Sequence, residues 1–209
     1  MDRGPKATRE AVIRAGRAVI LRESRAVAHL AENLGDSFGV AGEMILGAKA
    51  RIACVGVGKA GIIARKFAAT LASLGTPASF VHATEALHGD LGMITGDDLV
   101  IVICHSGTTP EILALLGPLT QLAVPIIAIT DHADSPLARS ANCVLCPQVT
   151  EEADHLGLAP TTSTTAALVL ADALAVAAAQ LRGFNQDDFA RRHPGGSLGR
   201  MLGEVGIDV

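Results

Sequence analysis

The feature that most constrains this chain is an alternation: short runs of aliphatic and β-branched residues, each ending in a small polar turn, separated by longer helical segments. The clearest run, Leu99–Cys104 (LVIVIC), is too short for most helices and rich in Val and Ile. It therefore reads as a parallel strand covered on both faces. It leads into Ser106, Gly107, Thr108 and Thr109, and then Pro110, which a first helical turn accepts because no N–H is needed there.

The same grammar runs along the chain. Strands are expected at Arg51–Gly56, Ala78–His82, Leu99–Cys104, Pro125–Thr130 and Asn142–Pro147. Helices are expected at Gly58–Leu74, Pro110–Leu122, from Ser135, and at Thr164–Leu181, with a loop and short helix reaching Gly89. Strands alternating with helices specify an α/β fold, a doubly wound five-stranded parallel sheet flanked by helices. Right-handed crossovers set every strand's carboxyl end on one edge, so the turns after strands one, three and five are expected to meet there. Before the first strand, Val12, Ala15, Val19, Val27, Leu30 and Leu34 mark a helix over residues 6–34 that closes at Gly35. A second helix is expected at Asp36–Leu46. These N-terminal helices (1–48) form an appendage to the 49–183 core and offer an oligomer surface. A short acidic helix, Gln186–Arg192, opens a C-terminal tail (184–209), the whole making a single domain.

Hydrophobic residues make up 49% of the chain but aromatics only 2%, with no Trp or Tyr. That leaves no stacking platform for nucleic acid. A formal charge of -4 gives no attraction to nucleic acid or an anionic membrane, so an anionic ligand must be held locally. The N-terminal residues lack the apolar core of a signal peptide. The helix Thr164–Leu181 is mostly alanine and carries Asp172, so it is expected in a protein core and not in a membrane. A reducing cytoplasm is the expected location. Cys143 and Cys146 stand three apart on a strand, pointing to opposite faces, and no second ligand pair follows, which argues against zinc or redox use.

The hydroxyls of Ser106, Thr108 and Thr109 stand at a helix N-terminus, whose free N–H groups and dipole favour an anion; they would equally serve as plain caps. The first turn, GVGKAG (Gly56–Gly61), matches a dinucleotide fingerprint. That reading needs an acid at the end of the next strand, which instead ends Phe80, Val81, His82, with Glu85 the nearest carboxylate. Lys59 within the turn fits a sugar phosphate better. After strand five come Glu151 and Glu152, an irregular loop, and a second hydroxyl cluster at Thr161–Thr165. A carboxylate beside a phosphate site suits proton abstraction next to a carbonyl, which needs a base, an acid and a group that stabilises the enediolate. Glu152 and Glu111 are the candidate carboxylates, His88 and His193 the acids, and Lys59 the cation. Plainer roles stay open: a dipole-favoured first-turn residue for Glu111, a solvated pair for Glu151 and Glu152, a helix C-terminal cation for His193.

The segments GVGKAG, LGTPASFVHATEALHGDLGMI, SGTTPE, LGLAPTTSTTA, ADALAVA and HPGGSLGR, in this order over roughly Arg51–Leu202, resemble the sugar isomerase (SIS) domain of the D-arabinose 5-phosphate isomerases. The resemblance implies interconversion of D-ribulose 5-phosphate and D-arabinose 5-phosphate through an enediol, the first step toward the lipopolysaccharide sugar Kdo. It implies that Lys59, Glu111, Glu152 and His193 are catalytic. It implies that Gly58, Gly75, Thr76, His88, His105, Ser106, Gly107, Thr108 and Thr109 bind substrate. No cofactor is required, and a zinc at His82 would be inhibitory or incidental; the alternative for His82 is a satisfied strand-end histidine. The family also implies a homo-oligomer, expected as a tetramer, in which the C-terminal tail and the HGD loop complete a neighbouring subunit's pocket. Three departures stand out. The family's SNSGES loop is altered at Cys104, His105, Thr108 and Thr109. Its ACP after the second glutamate becomes Ala153, Asp154, His155, and the chain ends at Val209, as expected of a short form without CBS domains. The alternatives are an isomerase of a hexulose or heptose phosphate, a non-catalytic sugar-phosphate sensor and a nicotinamide enzyme.

Overall fold

The structure is a computed structural model that describes residues 8–194. The elements are α1 (Arg9–Glu32), α2 (Asp36–Leu46), β1 (Ile52–Gly56), α3 (Gly58–Ser73), β2 (Ala78–His82), α4 (Ala83–Ala86), a 3-10 turn at Asp90–Met93, β3 (Leu99–Ile103), α5 (Pro110–Gln121), β4 (Ile126–Ile129), α6 (Pro136–Ser140), β5 (Cys143–Leu145), α7 (Thr162–Leu181) and α8 (Gln186–Arg192). The five strands form one parallel sheet in the order β2-β1-β3-β4-β5. This is the expected doubly wound sheet with its helical N-terminal appendage.

Strand residues alternate between two buried layers. Ile52, Cys54, Ile101, Ile103 and Ile127 face Phe67 and Leu71 of α3, Leu170 and Leu174 of α7, Ile45 of α2 and Leu30 of α1. Ala53, Val55, Val100, Val102 and Ala128 face Ile112, Leu115 and Leu119 of α5 and Leu137 of α6. Small Ala and Val on the strands let the helices lie close, so the core closes with few aromatics. The chain leaves β1 toward the α3 layer and β3 toward the α5 layer. Adjacent strands whose helices depart to opposite faces leave a crevice at their carboxyl ends.

Several boundaries move from their expected positions for identifiable reasons. Helix α1 starts at Arg9 because the Thr8 Oγ1 accepts the Ala11 N–H at 3.2 Å; residues 6 and 7 lie outside the described residues. Helix α7 begins at Thr162, two residues early, because Glu152 reaches back to cap it, its carboxylate accepting the Thr161 and Ser163 N–H groups at 2.8 and 3.2 Å. By length and composition α7 could cross a membrane, yet it packs against α1, α2 and α3, and Lys66 of α3 pairs with its Asp172. As expected, the Cys143 and Cys146 thiols diverge, one donating to the Ser37 carbonyl on α2 and the other to Asp131 at the carboxyl edge. Helix α8 opens with a capping box between Asn185 and Asp188. The HPGGSLGR segment lies outside the described residues beyond Pro194.

Candidate active site

The crevice holds a cavity of about 260 Å³ lined by Val57, Lys59, Ala60 and Ile63, by Ile103 to Ser106 and Thr109, by Thr130 and Asp131, and by Pro160, Ser163 and Thr164 of the α7 entry. The turns after strands one, three and five therefore meet as expected, and the turn after β4 joins them.

Each turn is shaped by its sequence. Glycines 56 and 61 bring β1 and α3 together: a Cβ on Gly56 would sit 2.9 Å from the Gly61 Cα. The GxGxxG spacing here serves close strand–helix packing, and no carboxylate stands at the end of β2 to hold a ribose. Gly58 opens α3 with φ +59°, aiming the chain so that Lys59 enters the cavity wall, largely exposed.

The β3 turn is more tightly built. Gly107 has φ +61°, and a Cβ there would lie 2.4 Å from the Ser135 Cβ. Ser135 caps α6 by accepting the Ala138 N–H at 3.2 Å, so α6 buttresses the turn. The Ser106 Oγ accepts the Thr108 N–H at 3.3 Å, and the Cys104 thiol donates to the Thr109 Oγ1 at 3.2 Å. The Ser106 and Thr109 hydroxyls line the cavity at the start of α5, while Thr108 is exposed outside that lining. Glu111, half-buried in the first turn of α5, also lies outside the lining.

His105 is held differently from the asparagine of the family motif. Its Nδ1 lies 2.8 Å from the Asp131 Oδ2, and this hydrogen bond lifts the imidazole pKa above its usual 6.5, with Glu152 adding attraction. Asp131 is fixed in turn: its Oδ1 accepts the Val149 N–H at 3.1 Å and the Cys146 thiol. Sequence reasoning missed Asp131 and Thr130; the signal was a Thr-Asp pair directly after the apolar run of β4, on the same edge as the other turns.

Glu152 stands beside the cavity, its carboxylate held by Thr161 and Ser163, each through its N–H and its hydroxyl. Partial burial works to raise its pKa, but these donors outweigh it and hold the group below the usual 4.5. Asp154, the extra charge beside Glu152, is used within its own loop, where it accepts the N–H groups of Leu156, Leu158 and Ala159.

The remaining candidates lie elsewhere. His82 ends β2, with Nδ1 buried and without a partner among the described residues, and His88 is exposed after α4. Among the described residues no group of three or more His, Cys, Asp or Glu could hold a metal. Gly75, Thr76 and His193 gather at the opposite, amino edge of the sheet. There the His193 Nε2 is 2.9 Å from the Ser73 Oγ, its Nδ1 is 2.8 Å from the Phe189 carbonyl, and its ring stacks on Phe189. Arg182 donates to the buried Thr76 hydroxyl and, at 2.6 Å, to the Ile45 carbonyl.

Comparison with known proteins places this geometry. The arabinose 5-phosphate isomerase KdsD of Escherichia coli K12 is 50% identical over 188 residues, covering 90% of this chain and 57% of that protein. KdsD of Pseudomonas aeruginosa is 51% identical over 180 residues, covering 86% and 55%. The chain thus spans just over half the length of these curated relatives. The structure of E. coli CFT073 c3406 in complex with A5P superposes with a TM-score of 0.88 at 41% identity, covering 90% of this chain and all of that one, 100%. The SIS domain model matches residues 44–177, from α2 through most of α7, and with the crevice at its β1–β3 switch point the chain belongs to the SIS domain family.

Proposed function

We propose that this chain is an aldose–ketose isomerase that interconverts D-ribulose 5-phosphate and D-arabinose 5-phosphate through an enediol, in the supply of a Kdo precursor for lipopolysaccharide. The observation that carries the reading is the meeting, in one small crevice, of a hydroxyl-lined helix N-terminus and an exposed lysine, with the Glu152 carboxylate just behind the lining residue Ser163, which it holds. Ser106, Thr109 and the first N–H groups of α5 receive the phosphate, with Gly58, Gly107, Thr108 and His105 around it. Lys59 stabilises the charge that develops on the sugar oxygens. Glu152 moves the proton between adjacent carbons, and Glu111 supports the α5 end of the site. In its present state the Glu152 carboxylate is a weak base, so the reading requires substrate to displace the Ser163 or Thr161 hydroxyl from it. The chemistry needs no cofactor, and no step runs through a metal at His82.

Gly75, Thr76 and His193 sit at the far edge of the sheet, so a role for them requires a second copy of the chain that brings its own amino edge, and His88, to this crevice. An assembly is supported by α1, whose Val12, Ile13, Ile20 and Leu21 are more than half exposed; a tetramer in the cytoplasm is the form we propose. One observation favours a second reading: the full occupation of Glu152 by α7 suits a binding module that performs no chemistry. Incubation with ribulose 5-phosphate, without nucleotide or metal, separates the two. Arabinose 5-phosphate should form and Glu152→Gln should remove most of it. Tight binding with no turnover would establish the sensor, and unchanged turnover in Glu152→Gln would refute the assignment of the base.

A further inference from the structure

We infer that Asp131 and His105 form a carboxylate–imidazole dyad in which Asp131 is a positioning residue, and His105 offers an Nε2–H as a proton-dependent cationic contact to the substrate phosphate. The inference rests on the sugar-phosphate reading above and deepens it.

Four observations carry it. The imidazole follows β3, directly before the hydroxyl turn at the start of α5, and lines the same cavity as Ser106, Thr109 and Lys59. Its Nδ1 is committed to the Asp131 Oδ2 at 2.8 Å. A carboxylate only accepts, so Nδ1 carries the proton and Nε2 is the free end. Asp131 is itself immobilised: its side chain is 7% exposed and its second oxygen holds the Val149 N–H. The backbone around the ring is locked as well, because the His105 carbonyl accepts both the Thr130 hydroxyl and the Asp131 N–H. A surface histidine without a ligand role would not need an oriented, buried carboxylate from a neighbouring strand.

Charged groups meet the ring from each side. Asp131 comes from the β4 turn and Glu152 from the loop after β5, both favouring the imidazolium. His132 packs edge-on with ring centroids 5.9 Å apart, and Lys59 lines the same cavity from α3; partial burial of the ring works against the charge. With Asp131 in hydrogen-bond contact, the two carboxylates outweigh that burial, and the pKa lies above its ordinary 6.5. A phosphate monoester takes its second charge near pH 6. Imidazolium and dianion therefore coexist over a window that opens near that pH and closes at the raised imidazole pKa. The neutral amide of the family motif has no such upper limit. Loss of the His105 proton should weaken binding without altering proton transfer between carbons, so the titration belongs to KM and not to kcat.

The test combines an NMR titration of the His105 imidazole with KM and kcat for ribulose 5-phosphate across pH 5.5–9, a range of roughly the imidazole region. Wild type should show the His105 imidazole titrating above its ordinary value and KM rising through that same pKa. Asp131→Asn should lower that pKa and move the KM limb to lower pH by the same amount. His105→Asn should abolish the limb and raise KM about tenfold at pH 6.5, the size of a charged hydrogen bond, with kcat within about threefold. An unmoved His105 titration in Asp131→Asn, a limb that survives His105→Asn, or a limb in kcat alone would overturn the inference. Failure of the underlying reading looks different: wild type would neither turn over nor bind ribulose 5-phosphate, while the Asp131-dependent titration would still be seen in the free protein.

Discussion

Gly58 and Gly107 give a matched pair in which backbone strain and packing can be separated. Both have φ near +60°, at +59° and +61°, so an alanine at either carries the same left-handed cost, about 1–2 kcal/mol. Their surroundings differ. A Cβ on Gly58 would meet nothing within 4 Å, whereas one on Gly107 would lie 2.1 Å from the Ser135 Oγ and 3.0 Å from the Thr130 Oγ1. The Ser135 Cβ, 2.4 Å away, is fixed to the backbone, so the α6 cap must shift as a unit. That adds the cap, about 1 kcal/mol, and overpacking of about 1–3 kcal/mol. Gly58→Ala should therefore lose about 1–2 kcal/mol in urea unfolding, while Gly107→Ala loses roughly 3–6 kcal/mol. Pairing Gly107→Ala with Ser135→Gly should recover part of the difference, because the second change removes the obstructing atoms. Equal losses in the two single variants, or no recovery in the pair, would refute the view that α6 buttresses the β3 turn.

Other consequences can be measured separately. Lys59→Ala should lower kcat about 100-fold or more with an unchanged urea midpoint, since the side chain is exposed and holds no structural contact among the described residues. Glu152→Gln should destabilise the fold by about 1–3 kcal/mol at neutral pH, because an amide cannot accept all four donors of Thr161 and Ser163. The folded Glu152 pKa lies below the ordinary 4.5, so its contribution is full above that value and is lost as pH falls through the lowered one; the gap between wild type and Glu152→Gln should close in acid unfolding curves. Arg182→Ala should cost about 1–2 kcal/mol by leaving the buried Thr76 hydroxyl without its donor.

How much of this was legible in the sequence varied with how local the cause is. The central strands announced the sheet because burial on both faces demands runs such as Leu99–Ile103, buried throughout, whereas β2 at the edge is only half-buried; crossover rules put the carboxyl ends on one edge, but the order β2-β1-β3-β4-β5 could not be read from the sequence. Lys59, Ser106 and Thr109 were legible because each sits in a turn directly after a strand end. The start of α7 was misplaced because its cap is Glu152, ten residues upstream, and side-chain caps from that distance leave no periodic signal. Asp131 was passed over because its role depends on pairing with His105 across two strands, a contact set by sheet register and not by spacing in the chain. The charge of Asp154, expected beside the base, is used by its own loop, a local turn that the sequence Asp-His-Leu-Gly-Leu-Ala does not advertise. Gly75, Thr76 and His193 lie far from Lys59 in one chain because α3 carries the backbone from one edge of the sheet to the other.

We propose that the β1, β3 and β5 turns bring a phosphate clasp, Lys59 and Glu152 around one sugar and move a proton between its carbons. The most direct test is proton NMR of the sugar after incubation with ribulose 5-phosphate in deuterium oxide. With the wild-type chain, arabinose 5-phosphate should carry solvent deuterium at C2, and Glu152→Gln or Lys59→Ala should yield little of it. Binding of the sugar phosphate with no deuterium entering either sugar would contradict this proposal.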